Sequence, residues 1–148
     1  ITIGNFTSIG PYVQMHSRTQ HPCIANPHLV SASSGRAIPG YPRPQSEDAI
    51  TIGHDVWIGR NVVLLGGIAI GDGAIIGAYS VVAKDIPPYA VVVGNPAQIK
   101  RYRFDEDIIA GLLNLEWWNW PDATIADRAA DLHDARRLVA KYAYEGYG

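Results

Sequence analysis

Aliphatic residues recur every six positions through the middle of the chain, between Ile52 and Pro87. Written in sixes, this segment reads IGHDVW, IGRNVV, LLGGIA, IGDGAI, IGAYSV and VAKDIP. An α-helix repeats every 3.6 residues and a half-buried strand every two, so neither explains this period. Hexapeptide repeats are typical of a parallel β-helix, whose short strands meet at a turn every six residues. The pattern therefore predicts an all-β solenoid.

Three positions of each unit carry the pattern. The first position is aliphatic and is predicted to point into the core; it is occupied by Ile52, Ile58, Leu64, Ile70, Ile76 and Val82. The fifth is small or β-branched and is occupied by Val56, Val62, Ile68, Ala74, Ser80 and Ile86. The second is Gly in four of the six units. We expect this glycine at a corner, where it tolerates unusual backbone angles.

The repeat is interrupted once. Residues 1–18 hold an earlier coil, with hexads that start at Ile3 and Ile9 and with Met15 in the next aliphatic position. From residue 19 to 49 the period disappears, and prolines recur at Pro22, Pro27, Pro39, Pro42 and Pro44. Because proline cannot donate a hydrogen bond to a strand ladder, we predict a long loop that protrudes from a corner. Long loops are usually functional, although a tolerated surface insertion is the alternative.

The period changes to that of a helix after a predicted β-helix domain over residues 1–103. Asp105 is a candidate N-cap, and one helical face carries Ile108, Ile109, Leu112 and Leu113. A second helix is expected at about residues 122–142. We therefore predict a C-terminal α-helical tail over residues 104–148.

Three tryptophans cluster in this tail, at Trp117, Trp118 and Trp120. One interpretation is a ligand box. The other is that their rings anchor the tail on the solenoid flank or on a neighbouring subunit, because large aromatic side chains contribute most to packing. The sequence favours anchoring.

Composition narrows the function classes. A net charge of -2 gives no electrostatic basis for nucleic-acid binding. Cys23 is the only cysteine, which favours a reducing compartment, and neither a signal peptide nor a membrane-spanning run is present. We therefore expect a cytoplasmic protein with no membrane span. The chain starts in repeat phase at Ile1 without the polar cap of a solenoid end, so we also expect an N-terminal part to be missing.

His21 stands where the solenoid gives way to the predicted loop, and Pro22 follows it. Proline holds the preceding residue in an extended conformation, which helps to fix the direction of the imidazole. An imidazole near neutral pH can take the proton of a hydroxyl that attacks an ester or thioester. Cys23 lies two residues away, so a Cys23–His21 nucleophilic pair is a second possibility. The simpler interpretation is that Cys23 is a small residue that fills space in the loop.

Small residues form a row on successive rungs, at Gly59, Gly77, Ala78 and the segment 94–97, which includes Pro96. Such a row would let a long ligand lie flat against exposed backbone groups. Basic residues follow at Lys84, Lys100 and Arg101, suitable for the phosphates of a nucleotide-like ligand or, alternatively, simply solvated. Trp57 takes the last, outward-facing position of its hexad, where it offers a flat wall to a substrate or a partner subunit.

The segment from His54 to Arg101 closely resembles the hexapeptide-repeat acyltransferases. It reads HDVWIGRNVVLLGGIAIGDGAIIGAYSVVAKDIPPYAVVVGNPAQIKR. The tail FDEDIIAGLLNLEWWNWP resembles their xenobiotic acetyltransferase branch, which modifies chloramphenicol and streptogramins. Sugar and capsular-polysaccharide O-acetyltransferases share most of the pattern. The resemblance covers nearly all of residues 1–121 and implies a left-handed coil.

The resemblance also implies an activity, namely acetyl transfer from acetyl-CoA to a hydroxyl group without a metal. His21 matches the catalytic base and Trp57 a tryptophan that lines the active site. Ala78 matches a backbone contact to pantetheine, and Ala83, Lys84 and Arg101 match positions at the far end of the cofactor. The family is trimeric with sites between subunits, so a homotrimer is expected. The resemblance implies a carbohydrate or another hydroxyl-bearing small molecule as the expected acceptor. A drug is the alternative, because Thr19-Gln20 replaces the Gly-Asn of drug-modifying members.

Two further interpretations use the same solenoid. γ-Class carbonic anhydrases bind zinc through three histidines, and the His16–His21 spacing occurs in their metal site. Trp57, the Pro-rich segment and WWNWP do not belong to that family. A non-catalytic hexapeptide scaffold is the other alternative, for which the loss of the loop histidine would be expected.

Overall fold

The computed structural model describes residues 1–16 and 49–143. The predicted loop therefore lies outside the described residues, apart from Ala49. Eleven strands build the described solenoid, and they are β1 Thr2–Ile3, β2 Ser8–Ile9, β3 Gln14–His16, β4 Ile50–Ile52, β5 Trp57–Ile58, β6 Val63–Leu65, β7 Ile68–Ile70, β8 Ile75–Ile76, β9 Val81–Val82, β10 Ala90–Val93 and β11 Gln98–Tyr102.

The strands form three sheets that the chain visits in turn. The first sheet has the order β1-β4-β7, the second β11-β10-β8-β5-β2 and the third β3-β6-β9. All pairs are parallel except β10 and β11, which form an antiparallel hairpin. The all-β solenoid prediction is confirmed as a parallel β-helix with three faces. We call the turn between the first and second sheets the first corner, and the turn between the second and third sheets the second corner.

The core is a column of the aliphatic side chains that the repeat predicts. Every residue in the first position of a unit is at most 2% exposed, and every residue in the fifth position at most 7%. In register, Ile58 lies opposite Ile76 and Leu64 opposite Val82, so one coil takes three hexads. The inward positions predicted from the repeat are thus confirmed.

The sixth unit departs from the predicted phase. Ile86 lies opposite Ile70, which holds a first position, although it was expected in a fifth position. The turn before Ile86 is two residues shorter than the repeat predicts. Two hydrogen bonds hold this short turn: Asp85 Oδ1 accepts the Ala69 N–H (2.8 Å), and the Ile86 N–H donates to the Ala69 carbonyl (2.9 Å). The prediction of six units in phase is therefore wrong at the last one.

The role expected of the second-position glycines is also wrong. Positive φ angles fall on the fourth position instead, at Asp55 (53°), Asn61 (54°), Gly73 (67°) and Tyr79 (62°). The second position needs glycine for space: a Cβ at Gly59 would lie 2.6 Å from the Ala78 backbone nitrogen. Close stacking of one coil on the next therefore excludes a side chain there.

Ser80 shows how a buried polar group is accommodated in this core. Its hydroxyl donates to the Gly77 carbonyl (2.6 Å) and accepts the Gly94 N–H (3.1 Å), and the residue is 0% exposed. It therefore links the second corner of one coil to that of the next.

We expect Ser80→Ala to lower the free energy of unfolding by about 1–3 kcal/mol, since the Gly94 N–H would lose its acceptor in a buried place. Urea unfolding of both proteins measures this difference. Ser8→Ala is the matched control, because Ser8 is exposed on β2. Equal stability of the Ser80 and Ser8 variants would contradict the structural role of this hydroxyl.

The tail contains three helices, α1 Glu106–Leu115, α2 Asp122–Asp127 and α3 Ala135–Tyr142, with short 3-10 turns at Trp117–Asn119 and Asp131–His133. The predicted first helix is confirmed. Asp105 occupies its N-cap position, but the carboxylate makes no capping bond and instead accepts from Arg136 Nη2 (2.7 Å).

The single second helix predicted for residues 122–142 is wrong. The chain breaks between α2 and α3, where the Asp134 side chain caps α3 by accepting the N–H groups of Arg136 and Arg137. Asp131 is buried in the break, and hydrogen bonds from Lys141 and Tyr142 lower the pKa of its carboxyl group. None of the helices in the described ranges is long and apolar enough for a membrane crossing.

Candidate functional site

A cleft of about 200 Å³ opens at the last coil, between the turn that follows β9 and the turn that leads into β11. Its walls are Val82, Ala83, Lys84, Asp85, Ile86, Pro96, Ala97, Gln98 and Ile99. Three residues predicted to bind a cofactor, Ala83, Lys84 and Pro96, are thus brought together. Lys84 is exposed, so its ammonium group is accessible to an anion, and the carboxylate of the neighbouring Asp85 lines the same cleft.

The other predicted cofactor residues do not line this cleft. Gly59, Gly77 and Ala78 lie at the second corner, in the two coils before it. Lys100 and Arg101 lie on β11, which turns back along β10 instead of leaving the solenoid. This basic segment is therefore a strand, and a register shift opposite Val91 and Val92 makes Lys100 its bulged residue.

Two of the backbone groups predicted to contact a ligand are already used. The Gly59 N–H donates to the Ile76 carbonyl, and the Gly77 N–H donates to the Val92 carbonyl, both at 2.8 Å. These two amides bond one coil to the next, so a ligand at Gly59 or Gly77 would have to contact other backbone atoms, and the assignment of both residues stays a prediction. Ala78 remains exposed on the corner beside them.

Trp57 points outward as predicted and is 53% exposed. It lies on the outer face of the second sheet, where Ser8 and Ile75 are its neighbours in register. A large aromatic surface held on a strand is a rigid contact for a substrate or a partner chain.

His21 and Cys23 lie outside the described residues, so both their assignments stay predictions. His16 is exposed, with Nε2 3.0 Å from Gln14 Oε1. Within the described ranges, no three His, Cys, Asp or Glu side chains are arranged to hold a metal ion. His54 has a structural environment in which Nδ1 accepts the Asn5 N–H (2.8 Å).

The tryptophan cluster packs as the anchoring interpretation predicts. Trp118 is 4% exposed and stacks on His54, with ring centroids 5.3 Å apart and ring planes 7° from parallel. Trp117 packs on Phe6 of the first coil, with centroids 5.0 Å apart. Trp120 packs on Tyr142 inside the tail (5.8 Å). Anchoring on the solenoid flank is confirmed for Trp117 and Trp118, whereas Trp120 packs within the tail.

Sequence reasoning missed Asp85, Gln98 and Ile99 as cleft residues. Their place depends on two features that the repeat does not encode, namely the early turn at Asp85 and the hairpin that returns β11 along β10. A Gly-Asn-Pro turn directly after the strand AVVV was the available signal for such a hairpin.

The fold and the cleft can now be compared with known proteins. A family model described as bacterial transferase hexapeptide, six repeats, matches residues 49–84. A hexapeptide-repeat containing acetyltransferase from Vibrio cholerae, solved in complex with acetyl coenzyme A, superposes with a TM-score of 0.51 at 35% identity, covering 70% of this chain and 50% of that one.

Sequence relatives agree with this result. A chloramphenicol acetyltransferase from Agrobacterium fabrum is 56% identical over 70 residues, which are 47% of this chain and 34% of that protein. A probable macrolide acetyltransferase from Lysinibacillus sphaericus is 53% identical over 76 residues, 51% of this chain and 42% of that protein. The chain thus spans less than half the length of these relatives.

The described solenoid is a parallel β-helix of the hexapeptide-repeat class. Residues 49–84 of this solenoid resemble the bacterial transferase hexapeptide family.

Proposed function

We propose that the protein is an acetyl-CoA-dependent O-acetyltransferase that transfers the acetyl group to a hydroxyl of a small molecule or carbohydrate. The observation that carries this proposal is the 56% identity over 70 residues to a chloramphenicol acetyltransferase. The superposition on an acetyltransferase complexed with acetyl coenzyme A supports the same donor. The coil is proposed to be left-handed, as the resemblance to hexapeptide-repeat acyltransferases implies.

The cleft fits part of the donor. Lys84 would pair with a phosphate group of acetyl-CoA, and the apolar walls beside it would cover uncharged parts of the molecule. A volume of about 200 Å³ is below the roughly 300–1,000 Å³ of typical ligand pockets. The rest of the donor surface would come from a neighbouring subunit in the proposed homotrimer, which has its sites between subunits.

His21 is proposed as the general base. It would accept the proton of the acceptor hydroxyl while the hydroxyl oxygen attacks the thioester carbonyl, and the thiolate of coenzyme A would leave. The ester forms in one transfer, with no acetyl group on the protein. Trp57 is proposed as a wall for the acceptor.

The names of the relatives favour a particular kind of acceptor. Chloramphenicol and macrolide acetyltransferases are among the proteins that match the repeat segment. A hydroxyl-bearing antibiotic is therefore the first acceptor class to test, and a sugar or polysaccharide hydroxyl is the second. Thiol release from acetyl-CoA, followed against a panel of both classes, separates them.

We expect Lys84→Ala to raise KM for acetyl-CoA about tenfold with little change in kcat, because a charge-assisted contact to a phosphate is lost. Initial-rate measurements over a range of acetyl-CoA concentrations give both constants. Lys84→Arg should retain most of the affinity, since the charge remains.

Arg136→Ala serves as the matched control. Arg136 is an exposed cation of the tail that pairs with Asp105, and its side chain is 75% exposed. Its removal should leave KM for acetyl-CoA unchanged. If both alanine variants leave this KM unchanged, Lys84 does not hold the donor.

A further inference from the structure

The strand β11 forms an open edge of the second sheet. It pairs with β10 on one side, and no strand in the described ranges pairs with it on the other. All five of its residues are exposed. The chain continues beyond β11 but turns to the first corner, where Phe104 packs on Tyr89. An edge of this kind presents backbone N–H and C=O groups with which another extended segment can pair.

The backbone of β11 alternates between the paired side and the open side. The Arg103 N–H donates to the Tyr89 carbonyl at the start of β10 (2.8 Å). Because successive residues of a strand direct their backbone groups to opposite sides, those of the preceding residue, Tyr102, face the open side. The open edge therefore has bonding groups at the end of β11 that lies next to the tail.

One face of β11 is apolar and exposed. Ile99 and Tyr102 lie opposite Val92 and Ala90 of β10, which are both 0% exposed, so all four residues are on the core side of the sheet. Ile99 and Tyr102 are nevertheless 46% and 45% exposed. In a strand added at this edge, every second side chain would lie beside these two.

The other face of β11 is cationic. Arg101 lies opposite Val91 on the outer side of the sheet, and Lys100 is the bulged residue before it. In the part of the chain that the structure describes, neither cation forms an ion pair with a carboxylate. The Arg101 guanidinium donates to the Tyr102 carbonyl (3.2 Å), an exposed bond that a backbone N–H of an added strand would replace.

These charges determine which kind of segment fits the edge. Antiparallel pairing with β11 of a second copy would bring Lys100 and Arg101 close to the same two cations, and like charges across a strand pair are destabilising. Lysine and a bulge at an edge also oppose pairing between identical copies. A segment that carries carboxylates would instead form ion pairs with both residues.

We propose that the open edge of β11 binds an extended segment of a partner protein in which apolar residues alternate with aspartate or glutamate. Backbone bonds to β11 would supply part of the affinity, the apolar residues would contact Ile99 and Tyr102, and the carboxylates would pair with the cations. The inference goes beyond acetyl transfer and does not depend on it. It gives Lys100 and Arg101 a role other than the cofactor binding predicted from the sequence.

Fluorescence anisotropy with a short labelled peptide of alternating glutamate and valine tests the proposal. We expect saturable binding to the full chain, and Arg101→Glu should weaken it about tenfold or more, because an attraction becomes a repulsion. Arg60→Glu is the matched control, since Arg60 is an exposed cation at the second corner and the change of charge is the same. This control should bind the peptide as the unaltered protein does.

Two altered peptides and hydrogen exchange test the mode of binding. A peptide of alternating lysine and valine should not bind. A glutamate peptide with proline at its centre should bind about tenfold more weakly, because proline cannot donate to a strand ladder. In the complex with the unaltered peptide, hydrogen exchange at residues 98–102 should slow, while exchange at β7 stays unchanged.

Four outcomes would overturn the proposal. They are absence of binding by the glutamate peptide, equal binding by the lysine peptide, equal binding by the proline peptide, and unchanged exchange at residues 98–102 in the complex. Displacement of the bound peptide by coenzyme A would also overturn it, because the two cations would then belong to the donor site.

Discussion

Replacing His21 by alanine is expected to lower kcat for acetyl transfer by about 100-fold or more, because the acceptor hydroxyl would lose its proton acceptor during attack. KM for acetyl-CoA should stay nearly constant, since binding of the donor uses the cleft around Lys84 in the proposed site. Steady-state thiol release with one fixed acceptor gives both constants. A selective loss of kcat is the signature of a group that acts in the chemical step.

Two variants make this result specific. His16→Ala removes an exposed histidine of the first coil and should keep normal turnover. Cys23→Ala tests the nucleophilic pair and should also keep turnover. If Cys23→Ala loses activity as His21→Ala does, acetyl transfer through a covalent thioester replaces direct attack. Normal turnover of His21→Ala would refute the assignment of the base.

Gly73→Ala is expected to cause the largest loss of stability, about 3 kcal/mol or more, because two penalties coincide. The first is backbone strain, since Gly73 has a φ of 67°. The second is overlap, because a Cβ at this position would collide with the ring of Tyr89. Tyr89 is 1% exposed, so its ring has no room to move away. Urea unfolding measures the loss.

Gly67→Ala separates the two penalties. Gly67 has a similar φ of 73° but is exposed at its corner, so the variant carries the backbone cost alone, about 1 kcal/mol. The Gly73 variant should therefore be clearly less stable than the Gly67 variant. Equal losses of stability in the two variants would show that the Tyr89 ring moves aside, which would contradict the tight packing described for this corner.

The burial of Tyr89 also explains why the corner at Gly73 does not accept a larger side chain. Its hydroxyl is buried with no hydrogen-bond partner among the described residues, and the Arg103 guanidinium lies 5.4 Å from the ring centroid. Burial, together with the carboxylates of Asp55 and Asp72, raises the pKa of the phenol despite the opposing charge of Arg103. Tyr89 therefore stays neutral and acts as a packed ring against the tail.

The buried column of the fold could be predicted from sequence because each inward position repeats at a fixed interval. The predicted residues in first and fifth positions are all buried, including polar Ser80. Periodicity could not reveal the early turn at Asp85. This turn depends on the Asp85 side chain, which accepts the Ala69 N–H, and the repeat carries no information on such a bond. It also could not distinguish a glycine needed for its φ from one needed for space, because both occupy the same corner.

The candidate site was predicted less completely than the fold. Ala83, Lys84 and Pro96 line one cleft. The resemblance to acyltransferases pointed to Ala83 and Lys84, and the row of small residues pointed to Pro96. The hairpin that adds Gln98 and Ile99 depends on long-range pairing between β10 and β11, which a six-residue period does not describe. The functional roles of all the predicted site residues, and the domain boundary after residue 103, stay predictions.

The central claim is acetyl transfer from acetyl-CoA to a hydroxyl, and mass spectrometry of the reaction products tests it most directly. The protein is incubated with acetyl-CoA and a panel of hydroxyl antibiotics and sugars, with His21→Ala as the control. The account predicts one acetyl ester on a hydroxyl of at least one acceptor, formed together with an equal amount of free coenzyme A and absent with His21→Ala. Coenzyme A release without any acetylated acceptor, or an ester formed equally by His21→Ala, would contradict it.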